Sequence, residues 1–316
     1  MKRVPWKRGI DLRDEKGIYS YRGRRYVSVT TVLGPYSDFV FVHNLKIAEK
    51  AKELVYANAD KTKVKRWKEV PDQQGWGELV WQLVECDAIE LLLDTDWLKN
   101  EGFRFLKCCA DRGSVIHDLM ADYARGMDLE ESQLKEYLSE SIITHNRSCA
   151  VSDCLFYGKS MLAFLDHYKP RIYISEASVF NDAEEYAGTL DMVMANDGQF
   201  PGCTHPFIFG DLKTSEAFKR AWAAQISGYK HSDFAVVDDD GVQIEWQLPT
   251  QADCASIQIL EDRYIFRHIP NDEAAYNDFF LPALKAHKAS EQLTLPPHGK
   301  TTKLRHKPEL ELVEVA

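Results

Sequence analysis

Runs of apolar residues in the second half of the chain have the length and composition of buried strands. Residues 171–180, 186–195 and 206–213 are rich in aliphatic, β-branched and aromatic side chains, and a polar turn at 181–185 joins the first two. Shorter strand-like runs follow at 242–247, after the turn 240–241, and at 256–260 and 264–268, which flank the tight connection 261–262. This pattern predicts that the C-terminal half is rich in β-structure.

Helical spacing of apolar residues dominates the first half of the chain. Residues 97–125 read as one broken helix or two consecutive helices, and Pro170 ends a helix predicted at 153–168. Further helices are predicted at 41–58, 77–93, 130–145, 218–232 and 272–288. The segment 61–75, which contains Pro71 and Gly75, is the linker between the first two of these. The N-terminal helical region therefore reads as an arch over a core.

Length and composition allow one large domain, or one domain with an added lobe. The chain has 316 residues, of which 45% are hydrophobic. We divide it into a basic hairpin with a helical lobe (1–107), a core (108–291), and a weakly patterned basic tail (292–316) that we expect to order on another chain or on nucleic acid. No run reaches the roughly 18 to 20 apolar residues that span a bilayer, so we expect no membrane partner and a cytoplasmic location.

Charged residues interrupt two of the predicted strands. Asp191 lies in the run GTLDMVM, and Asp211 and Lys213 lie in FIFGDLKTS. Buried carboxylates that converge from adjacent strands need a cation or hydrogen-bond partners, and a divalent metal is the simplest solution. Residues 211 and 213 leave a strand on the same face, so Lys213 stands beside whatever Asp211 binds. The alternative is a pair of strand-end carboxylates and a surface lysine.

Two helical segments carry further candidates. His117 lies beside an apolar stripe in DRGSVIHDLMADYARG, and Gln225 and Tyr229 are four residues apart, on one face of the helix at 218–232. The histidine alone is also typical of a packed core residue. The second helix is equally readable as an ordinary amphipathic helix whose core face is Trp222 and Ile226.

The order of these residues resembles the RecB-like branch of the PD-(D/E)XK nuclease superfamily, and within it the phage-type and mitochondrial-type single-strand DNA exonucleases. The matching series is His117, Glu176, Gly188 with Asp191, Asp211-Leu212-Lys213, and Gln225 with Tyr229. The N-terminal run YRGRRYVSVTTVLGPY is similar to the opening of those proteins, so matches extend from about residue 19 to about residue 230. The resemblance implies an α/β fold with a restriction-endonuclease-like core, a central mixed sheet flanked by helices, plus an N-terminal helical lobe.

The resemblance also implies a metal site. Its ligands would be His117, Asp191, Asp211 and the backbone carbonyl of Leu212, which suit one or two Mg²⁺ or Mn²⁺ ions. Lys213, with a pKa lowered by the neighbouring cation, would orient the attacking water and help to deprotonate it for in-line hydrolysis. Some relatives carry an iron–sulfur cluster, but only Cys254 follows Lys213 here, so we expect no cluster. The seven cysteines show no disulfide pattern, and we expect reduced, mostly buried thiols.

Other residues have open roles. Glu176 is a ligand of a second metal ion, a residue that contacts the metal ligands, or a strand-end glutamate paired with a basic neighbour. Gln225 and Tyr229 touch the substrate backbone or brace the lysine. Ser28 and Thr30 cap the following helix or bind a phosphate.

Net charge argues against a nucleic-acid enzyme unless the basic residues are local. The chain carries a net charge of -10, yet basic residues cluster at 2–8, 22–25 and 61–66, and others, Arg112 among them, flank the motifs. The alternative is scattered solvated charge. We expect a polarised molecule with modest, salt-sensitive affinity for DNA, in which Trp67, between Arg66 and Lys68, stacks an unpaired base.

The leading hypothesis is a metal-dependent DNA exonuclease acting on single strands or frayed ends in viral or cellular replication, recombination or repair, in the host cytoplasm if viral. A structure-specific endonuclease of the same fold is the alternative within this class. From other classes come a catalytically idle nucleic-acid-binding relative, which the intact Asp191, Asp211 and Lys213 argue against, and a metal-dependent hydrolase of small phosphoesters.

Overall fold

The computed structural model describes residues 7–9, 12–14, 18–36, 95–215, 218–239 and 241–293. The predicted helices at 41–58 and 77–93, the linker 61–75 with Trp67, and the tail from residue 294 lie outside this part of the chain. The arch predicted from those helices therefore stays a prediction.

The described strands form a mixed sheet, which confirms the α/β class and the central sheet flanked by helices. The strands are β1 (Lys7–Gly9), β2 (Tyr19–Tyr21), β3 (Arg24–Ser28), β4 (Ile172–Asn181), β5 (Tyr186–Ala195), β6 (Phe207–Lys213), β7 (Phe234–Asp239), β8 (Val242–Gln247), β9 (Ala252–Ile259) and β10 (Tyr264–Ile269). Neighbouring strands follow the order β10-β9-β6-β5-β4-β1-β7-β8, and β3 joins the side of the sheet through β5. The pairs β6–β9, β3–β5 and β1–β4 are parallel, and the other pairs are antiparallel.

Helices cover both faces of the sheet. On one face a buried cluster joins Ile116, Leu138 and Phe164 to Met192 and Ile257. On the other face a second cluster joins Phe209 and Cys254 to Ile226 and Phe280. The helical elements are α1 (Val29–Leu33), a 3₁₀ turn (Gly34–Tyr36), α2 (Thr95–Ala124), α3 (Leu134–Thr144), α4 (Val151–Tyr168), α5 (Arg220–Lys230), α6 (Asp272–Ala274), a π-helical segment (Ala275–Phe280) and α7 (Leu281–Gln292).

The predicted strands agree closely with the observed ones. The strands predicted at 186–195 and 242–247 have the observed bounds. The strand predicted at 171–180 lies one residue too early at both ends, and those predicted at 206–213 and 264–268 differ by one residue at one end. The strand predicted at 256–260 begins four residues after the observed start of β9. β5 is buried on both faces, although Asp191 interrupts its apolar run. β7 and β8 form an antiparallel pair in which Asp239 pairs with Val242, and residue 240 of the predicted turn lies outside the described residues.

Two helix predictions need correction. Residues 97–125 do not form a broken or double helix, because α2 is continuous and buries one stripe that includes Val115, Ile116 and Leu119. The last helix reaches Gln292 and contains a π-helical segment that apolar spacing does not reveal. Pro170 follows the left-handed Lys169 that ends α4, as predicted.

The predicted division at residue 107 falls inside the continuous α2. The basic hairpin β2–β3 turns at Arg22 and Gly23, which both have positive φ as a two-residue type I′ turn requires, and β3 then pairs with β5. The hairpin thus extends the sheet of the core. None of the helices in the described ranges is both long and apolar enough to cross a bilayer.

Candidate metal centre

The candidate site lies where β5 and β6 separate. The two strands pair from Met192 with Gly210 to Ala195 with Phe207, and the pairing goes no further. Asp191 immediately precedes Met192, so it lies just outside the part of β5 that pairs with β6. Its Oδ2 accepts a 2.6 Å hydrogen bond from the backbone N–H of Leu212. The buried carboxylate therefore satisfies a backbone N–H that has no partner in the β5–β6 ladder. This hydrogen bond fixes Asp191 at the fork, where the two strands separate.

Three side chains from three elements meet at this fork. His117 of α2 lies with its Nδ1 2.9 Å from Oε1 of Glu176 and 3.8 Å from Oδ1 of Asp191. One ligand atom of each residue lies within 4.8 Å of those of the other two. Two carboxylates and an imidazole in this arrangement are donors that a divalent Mg²⁺ or Mn²⁺ accepts. The donor set therefore fits the metal that the resemblance implies.

Glu176 reaches this cluster through a local distortion of β4. Ser175 pairs with Met192 and Ala177 pairs with Leu190, which sets Glu176 opposite Asp191. The backbone of Glu176 has φ of 53°, a left-handed conformation that is costly for a residue with a Cβ. Such strain persists only where the surrounding structure enforces it, and it is concentrated at functional sites. Of the two roles open for Glu176, its position in the cluster favours the ligand.

Asp211 lies deeper and has different partners. It is fully buried, its Oδ2 is 2.6 Å from Nζ of Lys213, and its Oδ1 accepts a 3.3 Å hydrogen bond from Nε2 of Gln225. The same amide nitrogen donates to the hydroxyl of Tyr229 at 2.9 Å. Asp211 thus belongs to a dyad with Lys213 next to the cluster of His117, Glu176 and Asp191.

Burial and mutual charge shift the titration of the whole site. Burial lowers the pKa of His117, but Asp191 and the hydrogen bond to Glu176 outweigh it and raise the pKa to about 9. Burial raises the pKa of Asp191, against the opposing charge of His117. Burial likewise raises the pKa of Asp211 to about 6, although Lys213 opposes the shift. A protonated His117 offsets part of the negative charge of the neighbouring carboxylates.

Lys213 is held in its protonated, charged form. Burial lowers the pKa of Lys213, but the ion pair with Asp211 outweighs that effect, so the pKa lies above its ordinary value. The reason is that two buried carboxylates, Asp211 and Asp191, surround the ammonium group. The lowered pKa that the resemblance implies requires a bound cation beside the lysine, and it stays a prediction.

The glycine of the G-x-x-D motif makes room for the tyrosine of the Q-x-x-x-Y motif. A Cβ on Gly188 would lie 2.3 Å from Cε1 of Tyr229, so only glycine admits the ring at this distance. Tyr229 is 2% exposed, and Gln225 connects it to Asp211. This burial favours bracing of the dyad over contact with a substrate.

Other predicted site residues lie apart from the cluster. Arg112 stacks its guanidinium over the ring of Tyr157, 4.1 Å from the centroid. Ser28 is the residue before α1, but its hydroxyl makes no cap hydrogen bond and instead lies 2.7 Å from that of Thr30. Of the two roles open for these hydroxyls, the side-chain cap of α1 is therefore wrong, and phosphate binding stays a prediction.

Several of the basic residues that could contact DNA form ion pairs within the chain. Arg22 pairs with Glu245 at 2.6 Å, and Arg24 pairs with Asp182 at 3.0 Å. Near the motifs, Lys230 pairs with Asp272 at 2.6 Å. These partners reduce the positive charge that the sequence offers to DNA.

An aromatic group beside the lysine was missed in the sequence. Nζ of Lys213 lies 5.8 Å from the ring centroid of Trp222, which packs edge-on against Phe218. Phe218 is 37% exposed, and the guanidinium of Arg267 lies 4.9 Å from its ring centroid. The available signal was an aromatic pair four residues apart just after the D-x-K motif, of which we named only Trp222, as a core residue in the alternative interpretation of the helix.

Comparison of the chain with models of known protein families finds no match, and comparison with curated proteins finds none at a significant level. The fold and the site together define an α/β protein with a candidate divalent-metal centre in a strand fork.

Proposed function

We propose that this chain is a metal-dependent nuclease with a PD-(D/E)XK core, which hydrolyses DNA phosphodiester bonds from single-stranded or frayed ends. The observation that carries the proposal is the convergence at one fork of His117, Glu176, Asp191, Asp211 and Lys213, which come from four segments far apart in sequence. Chance alone seldom assembles a buried lysine and three carboxylates in the order of a known motif series.

The chain's own groups have separable roles in this proposal. His117, Glu176 and Asp191 would hold the metal, with Asp211 next to them. A divalent ion, when bound, supplies Lewis-acid stabilisation of negative charge on the phosphate oxygens. Lys213 is charged at neutral pH, so it donates hydrogen bonds to a phosphate oxygen or to the attacking water and orients them.

Asp211 is suited to take up a proton. Its pKa of about 6 lies near neutrality, where a general base is most effective, and its carboxylate is held 2.6 Å from Lys213. A proton released by the attacking water can pass to this dyad. Gln225 and Tyr229 keep the carboxylate in place.

The exposed aromatic edge favours single strands as substrate. The accessible ring of Phe218 packs against Trp222, which in turn lies beside Lys213. The guanidinium of Arg267 places a positive charge next to the Phe218 ring. Unpaired bases stack on such rings without sequence preference, whereas the bases of a duplex are already stacked on each other.

End dependence is tested with labelled substrates. Linear single strands labelled at either end, a linear duplex and a closed single-stranded circle are incubated with the full chain and Mg²⁺ or Mn²⁺. The proposal predicts loss of the linear strands, with the circle intact. Cleavage of the circle would indicate the endonuclease alternative, and an absence of cleavage with either metal would overturn the proposal.

A further inference from the structure

A second group of metal-binding residue types lies on another part of the sheet. Cys203 is in the loop between β5 and β6, Asp253 is near the start of β9, and His268 is near the end of β10. One ligand atom of each lies within 4.8 Å of those of the other two. Residues separated by up to 65 positions thus bring sulfur, oxygen and nitrogen donors to one point.

This group is separate from the candidate metal centre. Asp211 pairs with Ser256 in the parallel β6–β9 ladder, and Asp253 lies three residues before Ser256. Three residues of strand span about 10 Å, and an odd spacing directs side chains to opposite faces. Asp253 thus leaves the sheet on the face away from Asp211.

The loop around Cys203 is already organised on Asp253. One carboxylate oxygen of Asp253 accepts the backbone N–H groups of Thr204 and His205 at 2.7 and 2.8 Å. The other oxygen lies 2.9 Å from Nδ1 of His205 and 3.5 Å from Nε2 of His268. Asp253 is 7% exposed, so these hydrogen bonds stabilise a carboxylate that is largely shielded from solvent.

The glycine before Cys203 completes this packing. Gly202 has φ of 82°, and a Cβ at this position would lie 3.0 Å from Nδ1 of His268. The backbone of the loop therefore lies directly against the imidazole ring.

We propose that Cys203, Asp253 and His268 bind a transition-metal cation, zinc by preference, with His205 as a hydrogen-bond partner of the liganding carboxylate. A thiolate, an imidazole and a carboxylate are zinc ligands, whereas Mg²⁺ and Ca²⁺ take oxygen donors. On binding, the Cys203 thiol proton passes to solvent and the thiolate sulfur donates to the cation. Three protein ligands leave a fourth position for water.

Such a cation would act as a structural clasp. It would tie the β5–β6 loop to the β9–β10 hairpin, next to the point where Ile208 at the start of β6 pairs with Asp253. Because ligands from three segments converge only in the folded chain, binding adds to folding stability. The clasp would hold the strand that carries Asp211 and Lys213 without touching them.

Cobalt titration tests this site. Co²⁺ alone is added to the reduced full-length protein, and thiolate-to-cobalt charge-transfer absorption is recorded and then displaced with Zn²⁺. The band is expected in the wild type, in Cys109→Ser and in Asp191→Asn, and it is expected to be lost in Cys203→Ser. His205→Gln is expected to weaken zinc binding roughly 10- to 100-fold, as loss of an outer hydrogen-bond partner does.

Absence of the band in the wild type, or its persistence in Cys203→Ser, would overturn the proposal. If Cys203→Ser does not fold, His268→Asn decides in its place, since it keeps the thiol and loses the tetrahedral cobalt spectrum. A zinc-dependent rise in Tm provides the second readout. It is expected in Asp191→Asn, which lacks the other centre, and an equal rise in the folded Cys203→Ser variant would contradict the clasp.

Discussion

At the scale of single residues, Glu176 combines strain with chemistry. Its φ of 53° is imposed within a strand whose neighbours on both sides keep regular pairing. The distortion aims the carboxylate at His117, 2.9 Å away, and brings it close to Asp191. We interpret the strain as the cost of placing a third ligand in the cluster.

The strain predicts a difference between two substitutions that both remove the carboxylate. Glu176→Gly is expected to be more stable than Glu176→Ala by about 1 kcal/mol, because glycine adopts positive φ without a Cβ clash. Urea unfolding of the two metal-free variants measures the difference. Equal stabilities would show that the backbone at this position is unstrained.

His117 predicts that metal binding releases a proton. Its pKa of about 9 means that it is protonated at pH 7, and a metal accepts only the neutral ring. Calorimetric titration with Mn²⁺ in buffers of different ionisation enthalpy is expected to show about one proton released per ion, with affinity rising about tenfold per pH unit below pH 9. His117→Asn is the control, and wild-type binding without proton release would contradict the assignment.

At the scale of elements, the packing of α5 on β5 sets the geometry of the dyad. Tyr229 of α5 lies against Gly188 of β5, and Gln225 extends from the same helix to Asp211. The two motifs are thus one packed unit, although forty-one positions separate Gly188 and Tyr229. A change on the strand should reach the carboxylate through the helix.

Gly188→Ala tests this coupling. The added methyl group would clash with the Tyr229 ring, so we expect a loss of about 1–3 kcal/mol in unfolding free energy and reduced cleavage of DNA. Gly34→Ala is the matched control, since no atom lies within 4 Å of its added Cβ. Both are measured by urea unfolding and by nuclease rate, and an undisturbed Gly188→Ala protein would refute the coupling.

Sequence patterns predicted the regular elements better than the irregular ones. A largely apolar run gave the bounds of the buried strand β5, and alternation of apolar and polar residues in VQIEWQ gave those of the more exposed β8. The strand β7 was not assigned, since its end carries Asp238 and Asp239, which pattern reasoning assigns to a turn. The continuity of α2 and the π-helical segment depend on tertiary packing, which spacing does not encode.

The sequence predicted which residues belong to the candidate site, but not which of them contact each other. Motif order brought His117, Asp191 and Asp211 into one set, and the structure brings the first two together with Glu176. No sequence pattern reveals the positive φ of Glu176, so the contact of its carboxylate with His117 could not be predicted. Cys203, Asp253 and His268 were missed because their ligand atoms come from three segments without a recognised spacing.

At the scale of the whole molecule, acidic charge limits where DNA can bind. The chain carries a net charge of -10, and arginines of the basic hairpin are paired with Glu245 and Asp182. Long-range attraction of a polyanion is therefore weak, and in the proposed nuclease the DNA contacts would be local to the fork.

The shifted pKa values also predict how stability depends on pH. The folded pKa of His117, about 9, exceeds its ordinary 6.5, so the stability it contributes is full below pH 6.5 and is lost as pH rises through 9. Asp211 contributes in the same direction at lower pH, because its pKa rises from 3.8 to about 6. Stability from this carboxyl is present below pH 3.8 and is lost as pH rises through 6.

The metal-free protein is expected to lose stability between pH 6.5 and 9, by on the order of 2–3 kcal/mol from His117. Urea unfolding at pH 6, 7.5 and 9 measures this decline, and His117→Asn is expected to flatten it. A wild type and a variant with the same pH dependence would contradict the charged cluster.

The central claim is that the fork around Lys213 hydrolyses DNA. The most direct measurement is the rate at which labelled linear single-stranded DNA is cleaved by wild type, Lys213→Ala and the surface control Lys159→Ala, with Mn²⁺ at saturation and folding verified. Loss of a group that positions or transfers a proton costs about 10²- to 10⁴-fold in rate. We predict that loss for Lys213→Ala and unchanged cleavage for Lys159→Ala, whose lysine pairs with Glu131 on the surface. Full activity in folded Lys213→Ala would contradict the account.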